Sequence, residues 1–175
     1  DNDSVTGPKS YVSKRYSLEI FSYIKKHSEI EKKQKELNNA LTEILAEQIE
    51  NKTCLESKMD LAKIKENQLK INKKTEEFLN NFNTLLNEMK KDPFTAEFTY
   101  EEYKSVFEGL NWLKDKKMDY LSSLLFDEKN VQKIKGLQNE IIENLERYTL
   151  LSEDIFKKQK MNDVFSSTDE LLNTT

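Results

Sequence analysis

The fold is decided by residues 16–48, which read YSLEIFSYIKKHSEIEKKQKELNNALTEILAEQ. Within this stretch, apolar residues and a few polar residues recur at alternating steps of three and four positions. The recurring residues are Tyr16, Ile20, Tyr23, His27, Ile30, Gln34, Leu37, Leu41, Ile44 and Gln48. This spacing places side chains on one face of an α-helix that packs against other helices. The pattern therefore predicts a long helix whose core-facing side is partly polar.

The same spacing recurs in three later stretches, between Cys54 and Met89, between Tyr103 and Leu124, and between Val131 and Ile155. The connections between the four stretches are short, and short connections make successive helices antiparallel. The sequence therefore predicts an all-α fold, an elongated antiparallel up-down-up-down four-helix bundle with polar residues in its core.

The predicted boundaries follow from residues that favour helix ends. Gly7 and Pro8 indicate a flexible N-terminal arm, and the proline after Asp92 disfavours helix at that residue. The predicted segments are a flexible arm over 1–12, a bundle over 13–162 with helices at about 13–50, 54–91, 99–125 and 128–161, and a frayed tail over 163–175.

Two capping boxes support these boundaries. Residues 53–56 and 99–102 each carry a threonine followed three positions later by glutamate, which is the pattern of a helix N-terminus. Asp127 is the predicted cap of the last helix. A second interpretation of the first box stays open, because one continuous helix with a shift in its repeat would also fit residues 48–54.

Composition narrows the class of protein. Three Gly and two Pro in 175 residues are too few for a turn-rich β protein, and 36% hydrophobic residues at helical spacing argue against disorder. The net charge is −4, with lysine and glutamate interspersed, so no basic face for nucleic acid is predicted. A single cysteine excludes an intrachain disulfide, and no apolar run approaches the roughly 18 residues of a membrane-spanning helix.

The polar residues of the repeat are expected to meet. A turn at about residue 51 places Gln34 opposite Gln68 and His27 opposite Thr75, and a turn near 127 places Lys117 level with Gln138. The predicted buried polar layer consists of Gln34, Gln68, Lys117 and Gln138, with His27 and Thr75 one layer along.

Two interpretations of this layer are open. In the first, a polar layer fixes the register and order of helices at some cost in stability. The presence of Lys117 in the layer would then be explained by an ammonium group that extends outward to water. Alternatively, a core weakened at mid-height lets the bundle open and present its apolar residues to a membrane or a protein partner.

The residues for familiar catalytic or metal sites are missing. His27 is the only histidine and Cys54 the only cysteine, so neither a His/Cys metal cluster nor a paired nucleophile and base is predicted. Adjacent acidic residues such as Glu76 and Glu77 point in different directions on a helix. We therefore expect no enzymatic activity and no cofactor.

Two resemblances are visible. Residues 20–37, IFSYIKKHSEIEKKQKEL, resemble the opening helix of F-BAR membrane-bending domains, but the basic concave face of that family is not present. The Lys-, Asn- and Glu-rich usage is similar to that of AT-rich apicomplexan proteins, and the whole-chain architecture resembles the sporozoite microneme proteins that malaria parasites need for cell traversal. This second likeness rests on the polar core-facing residues Gln34, Gln68, Lys117, Gln138 and His27.

The second resemblance implies a secreted, non-enzymatic protein of a parasite secretory organelle that helps the parasite pass through host cells by rearranging at membranes. Its implied partner is a host membrane or host protein, and the chain itself is expected to be a monomer or weak oligomer. The rival interpretation is an intracellular structural subunit, cytoplasmic or nuclear, that binds partner helices in a coiled-coil assembly of the kinetochore, tethering or trafficking type.

Overall fold

The computed structural model describes residues 6–57, 60–125 and 131–173, with side chains over 22–57, 60–125 and 131–162. All secondary structure in these ranges is helical. The elements are α1 (Thr6–Glu56), α2 (Leu61–Met89), α3 (Glu97–Leu113), a π-helical turn (Lys114–Met118), α4 (Asp119–Leu124) and α5 (Val131–Asn173). Because α3, the π-helical turn and α4 follow one another without a break, they form one continuous element, here called the third rod.

The helices form an antiparallel four-helix bundle with polar residues in the core, which confirms the predicted fold class. α1 packs against α2 and α5, and the third rod packs against the same two helices. Gln48 near the end of α1 bonds Gln68 near the start of α2, whereas His27 bonds Asp92 just after α2. These two contacts fix α1 and α2 as antiparallel neighbours.

An aromatic cluster forms the apolar part of the core. Phe82 of α2 is fully buried and makes edge-to-face contacts with Phe78, Tyr103 and Phe107, with ring centroids 5.8, 6.1 and 5.5 Å apart. Such contacts contribute about 0.5–1.5 kcal/mol each beyond the area they bury. The cluster joins α2 to α3.

The first turn lies later than predicted. Thr53 is inside α1, where its hydroxyl donates to the Ile49 carbonyl at 3.0 Å, so residues 53–56 do not start a helix. The turn follows Glu56 instead, and the carboxylate of Asp60 caps α2 by accepting from the Ala62 amide at 3.0 Å. Aspartate at this position satisfies a free amide of the first helical turn, as strong N-cap residues do.

Other boundaries also differ. α1 begins at Thr6, so residues 6–12, predicted as a flexible arm, are helical, and Pro8 falls in the first turn where proline is tolerated. α5 runs to Asn173 because residues 163–173 contain neither Gly nor Pro, so the predicted frayed tail is helical over these residues. The third rod starts at Glu97, ahead of the predicted cap Thr99. The predicted cap Asp127, the arm residues 1–5 and the tail residues 174–175 lie outside the described residues.

Candidate functional site: a polar core with two different halves

A connected amide network joins α1, α2 and the third rod. Its centre is Gln68, which is fully buried. The Gln68 carbonyl oxygen accepts from Gln48 Nε2 at 3.0 Å and from Asn51 Nδ2 at 3.1 Å, and its Nε2 donates to Gln48 Oε1 at 3.0 Å and to Asn72 Oδ1 at 2.9 Å. A side-chain amide can make four such bonds. The hydrogen-bonding capacity of Gln68 is therefore filled.

The network ends on the π-helical turn. Asn72 Nδ2 donates to the Met118 carbonyl at 3.1 Å and to Ser122 Oγ at 2.9 Å, and it also lies 3.1 Å from Asp119 Oδ1. π-helical turns inside α-helices occur frequently at functional sites. Here the turn receives the buried amide of the neighbouring helix, so three of the four helical elements are tied by polar contacts at this level.

The interfaces of α5 are different, as Gln138 shows most clearly. This residue is fully buried, yet neither Nε2 nor Oε1 of its amide has a hydrogen-bond partner among the described residues. It lies near the level of the π-helical turn, because Glu140 of the same helix pairs with Lys117 at 2.8 Å. A buried polar group without a partner costs about 1–3 kcal/mol.

Gln34 of α1 and Gln159 of α5 form a half-satisfied pair. Gln34 Nε2 donates to Gln159 Oε1 at 2.9 Å and lies 3.8 Å from the sulfur of Met89. The remaining atoms of the two amides, Gln34 Oε1 and Gln159 Nε2, are buried and have no protein partner in the described ranges. This contact joins α1 to α5 with one of the bonds that two amides could share.

Tyr103 adds a titratable group to the same interface. Its hydroxyl is buried against Ser152 of α5 and lacks a partner with hydrogen-bond geometry among the described residues, and burial raises the pKa of Tyr103 well above its ordinary value. Ser152 itself donates to Asn38 Oδ1 of α1. Glu102 Oε2 is also unbonded and lies close enough to Lys158 of α5 to interact with it electrostatically.

The unbonded groups are concentrated at α5. Seven buried side-chain atoms of the described residues have no hydrogen-bond partner, and six of them belong to α5 or to residues that face it. The seventh is Asn51 Oδ1, on the amide network. Hydrogen bonds among core amides therefore join α1, α2 and the third rod. At α5, two core bonds cross to α1, from Gln34 to Gln159 and from Ser152 to Asn38, beside the six unbonded atoms.

The predicted layer does not form as one level. Gln34, Gln68 and Gln138 are all fully buried, but Gln34 meets Gln159 and Gln68 meets Gln48. The reason is the position of the turn, which follows Glu56 instead of residue 51. Each residue of α2 therefore faces a residue of α1 that lies closer to the end of α1 than predicted. Burial of the three glutamines was predicted correctly, but their partners were not.

The other three predicted residues have separate roles. Thr75 is buried and donates to the carbonyl of Ile71 in its own helix at 2.8 Å. Lys117 is outside the layer, since its ammonium pairs with Glu140 at 2.8 Å and lies 5.5 Å from the ring centroid of Trp112. His27 bonds Asp92, at the end of α2, and does not meet Thr75.

His27 and Asp92 attach the α2–α3 connection to α1. His27 Nδ1 lies 2.6 Å from Asp92 Oδ2, and the same carboxylate oxygen accepts from Thr95 Oγ1 at 2.7 Å. The other oxygen, Oδ1, accepts from the Phe94 amide at 3.3 Å. The His27 ring also contacts the Phe94 ring edge-on, with centroids 5.8 Å apart. These contacts hold the connection in place beside α1.

Several polar residues of the core were not predicted. Gln159 continues the repeat four positions after Ile155, so one more step of the pattern would have found it. Asn72 follows the core-facing Ile71 but is not itself a position of the repeat, so the sequence predicts its burial less strongly. Asn51 lies at the position predicted for the first turn, but it is buried within α1 and bonds Gln68.

Two searches of the described residues were negative. They contain no group of three or more His, Cys, Asp or Glu side chains placed to hold a metal ion. None of the helices, over the same residues, is long and apolar enough to cross a membrane. No protein-family model, curated protein or solved structure matches the chain.

Proposed function

We propose that this chain is a non-enzymatic, secreted helical-bundle protein that engages a host membrane or host protein while a parasite passes through host cells, and that it acts by detaching α5. The parasite origin and the secretion rest on the resemblance to the sporozoite microneme proteins. The detachment of α5 rests on one observation, the concentration of unbonded buried polar atoms at the α5 interfaces. The proposal includes no cofactor.

Detachment of α5 would have two opposite effects on the free energy: hydration of unbonded amides would favour it, and loss of apolar burial would oppose it. Water would reach the amides of Gln138 and Gln159, which removes a penalty of about 1–3 kcal/mol for each unbonded group. At the same time α5 would lose the burial of its core-facing residues. These fully or almost fully buried residues are Ile134, Ile141, Leu145 and Ile155.

A membrane or an apolar protein groove could replace the lost burial. An amphipathic helix binds to the lipid interface through its apolar face, or to a groove of a partner by the same face. The amide network would meanwhile keep α1, α2 and the third rod together. The released helix would thus be presented by a rigid remainder.

The test removes the unbonded amide without changing the length of the side chain. We expect Gln138→Met to raise the midpoint of thermal unfolding, followed by circular dichroism, and to reduce the release of dye from loaded vesicles. Gln132→Met is the matched control, because Gln132 is an exposed glutamine of the same helix. It should change neither quantity.

Two results would contradict the proposal. Wild-type protein that releases no dye from vesicles of any charge would contradict the detachment of α5 at membranes. Higher stability of Gln138→Met with unchanged dye release would separate the polar core from the activity, and would leave helix register as the role of the core.

A second candidate is a structural subunit of a coiled-coil assembly. One observation favours it: Gln34 already lies against Met89, the last residue of α2, whereas α1 starts at Thr6. α1 therefore extends beyond the end of α2, and partner helices could pack beside this extension. A subunit of this kind predicts no vesicle binding and no dye release, together with association in analytical ultracentrifugation once partner helices are supplied.

A further inference from the structure

The α2–α3 connection, the first turn of α3 and a neighbouring turn of α1 expose apolar side chains. Phe98 is 65% exposed, Ile24 54%, Phe94 49% and Tyr23 43%. We call the surface formed by residues 23–26 and 90–98 the connection surface. Large apolar groups that cluster on the surface of a protein indicate an interaction site.

The two parts of the connection surface are held together by direct contacts. His27, one turn after Tyr23, bonds Asp92 and packs edge-on against Phe94. Tyr23 and Pro93 also line one shallow groove of about 240 Å³ between α1 and the end of α2. Tyr23 of α1 therefore lies at the same place on the molecule as Pro93 and Phe94 of the connection.

Unpaired lysines surround these apolar groups. Lys25, Lys26, Lys90 and Lys91 are exposed, and none of them forms an ion pair with any described residue. Nearby lysines do pair, for example Lys33 with Glu88 at 2.5 Å.

Among the described residues, the unpaired acidic residues near these four lysines are fewer than the lysines themselves. The exposed acidic residues near them without an ion pair among the described residues are Glu29 and Glu97, and the Asp92 carboxylate is bonded to His27. The connection surface therefore carries an excess of positive charge, although the chain as a whole has a net charge of −4.

We propose that the connection surface docks on an anionic lipid surface. The proposal rests on the membrane engagement proposed above, but not on the detachment of α5. Aromatic side chains are favoured at the level of lipid headgroups, and lysines beside them bind anionic lipids. Phe94 of the connection and Phe98 of the first turn of α3 are exposed and lie outside the groove, which suits insertion between headgroups better than capture by a partner helix.

Co-sedimentation with vesicles tests the docking. We expect wild-type protein to bind vesicles of phosphatidylserine and phosphatidylcholine in equal parts, and to bind vesicles of phosphatidylcholine alone much more weakly. Lys90→Glu/Lys91→Glu should weaken binding by at least about thirtyfold, because each lysine near an anionic surface strengthens binding about fivefold and each new glutamate is repelled by that surface. Phe98→Ser should weaken binding by about tenfold, because one aromatic side chain is no longer buried in lipid.

Matched controls separate the connection surface from general charge and exposure. Lys35→Glu/Lys116→Glu makes the same change of charge at exposed, unpaired positions elsewhere, and Leu150→Ser removes a side chain that is 67% exposed. Both controls should bind within about twofold of wild type, since they leave the four lysines and the apolar groups of the surface unchanged. Circular dichroism of each variant verifies the fold.

Three results would overturn the docking: no binding of wild type to the mixed vesicles, equal binding to both kinds of vesicle, or equal losses in the variants and their controls. Unchanged vesicle binding in both connection-surface variants would assign the surface to a protein partner instead. Gln138→Met distinguishes this proposal from the detachment of α5, because the variant should release less dye but should bind vesicles as wild type does. Normal vesicle binding with no dye release from wild type would support docking and contradict the detachment of α5.

Discussion

Gln68 and Gln138 are both fully buried glutamines in the same bundle, and they differ in every hydrogen bond. Gln68 makes four bonds with Gln48, Asn51 and Asn72, whereas Gln138 makes none with the described residues. The first joins three helical elements by hydrogen bonds, and the second leaves both polar atoms of a buried α5 amide without a partner among the described residues. Residue type and depth of burial therefore do not determine the energetic effect of a buried amide; its partners do.

The amide network and the interfaces of α5 differ in the same way as these two residues. Each satisfied bond of the amide network contributes about 0.5–1.5 kcal/mol, and each unsatisfied group at α5 costs about 1–3 kcal/mol. Proteins open locally in units whose free energies differ widely, and the least stable units are those that move. By this measure we propose α5 as the unit of this bundle that detaches first.

The largest expected effect comes from substituting the two glutamines alike. Gln68→Met should lower the free energy of unfolding by about 3 kcal/mol, because it leaves polar groups of Gln48, Asn51 and Asn72 buried without partners. Gln138→Met should raise the same quantity by about 2 kcal/mol. Urea unfolding followed by circular dichroism measures both. Effects of the same sign in the two variants would contradict the comparison.

The free energy of unfolding should depend on pH through the buried phenol of Tyr103. Burial raises the pKa of Tyr103 in the folded protein, whereas an unfolded tyrosine ionises at about pH 10. Below that pH the phenol is neutral in both states and contributes no pH dependence. Above it the unfolded chain loses a proton that the folded chain keeps, so the free energy of unfolding should fall by about 1.4 kcal/mol per pH unit until the folded phenol also ionises.

Tyr103→Phe isolates this contribution. The variant should show a smaller decrease in the free energy of unfolding between about pH 10 and pH 11.5, while the contributions of lysines remain in both proteins. At neutral pH it should also be more stable by about 1 kcal/mol, since the unbonded hydroxyl is gone. Equal slopes in urea unfolding across this range would show that the hydroxyl is not buried as described.

The sequence predicted the bundle but not the pairing within it. Steps of three and four residues determine which side of a helix is buried, and the burial of Gln34, Gln68 and Gln138 follows from that alone. Which of them meet depends on the position of the turn. The Thr53–Glu56 pattern favours a helix start, but burial of Asn51 and Leu55 together with the cap at Asp60 continues α1 past it.

This sensitivity has a physical origin. A turn displaced along the chain keeps the same face of each helix in the core, so the apolar residues remain buried against other apolar residues at little cost. Hydrogen bonds are more demanding, because donor and acceptor must lie about 2.7–3.2 Å apart. The apolar core can therefore be predicted from periodicity, while polar pairs such as Gln48 with Gln68 require the register itself.

The smallest effect is expected at the intermediate case, the half-satisfied pair of Gln34 and Gln159. Gln34→Met/Gln159→Met removes one bond of 2.9 Å and two unbonded atoms together, so it should stabilise the attachment of α5 by about 1 kcal/mol. Hydrogen exchange of α5 backbone amides should then slow by about fivefold, with little change at α2.

Gln34→Met alone is the matched control for this pair. It leaves the Gln159 amide with neither of its polar atoms bonded, so exchange in α5 should become faster instead of slower. Slower exchange in the single variant, or equal slowing in α2 and α5, would mean that the amides at the α1–α5 interface do not control the detachment of α5. The opposite signs expected for the single and double variants follow only if partners, and not burial alone, determine what a core amide contributes.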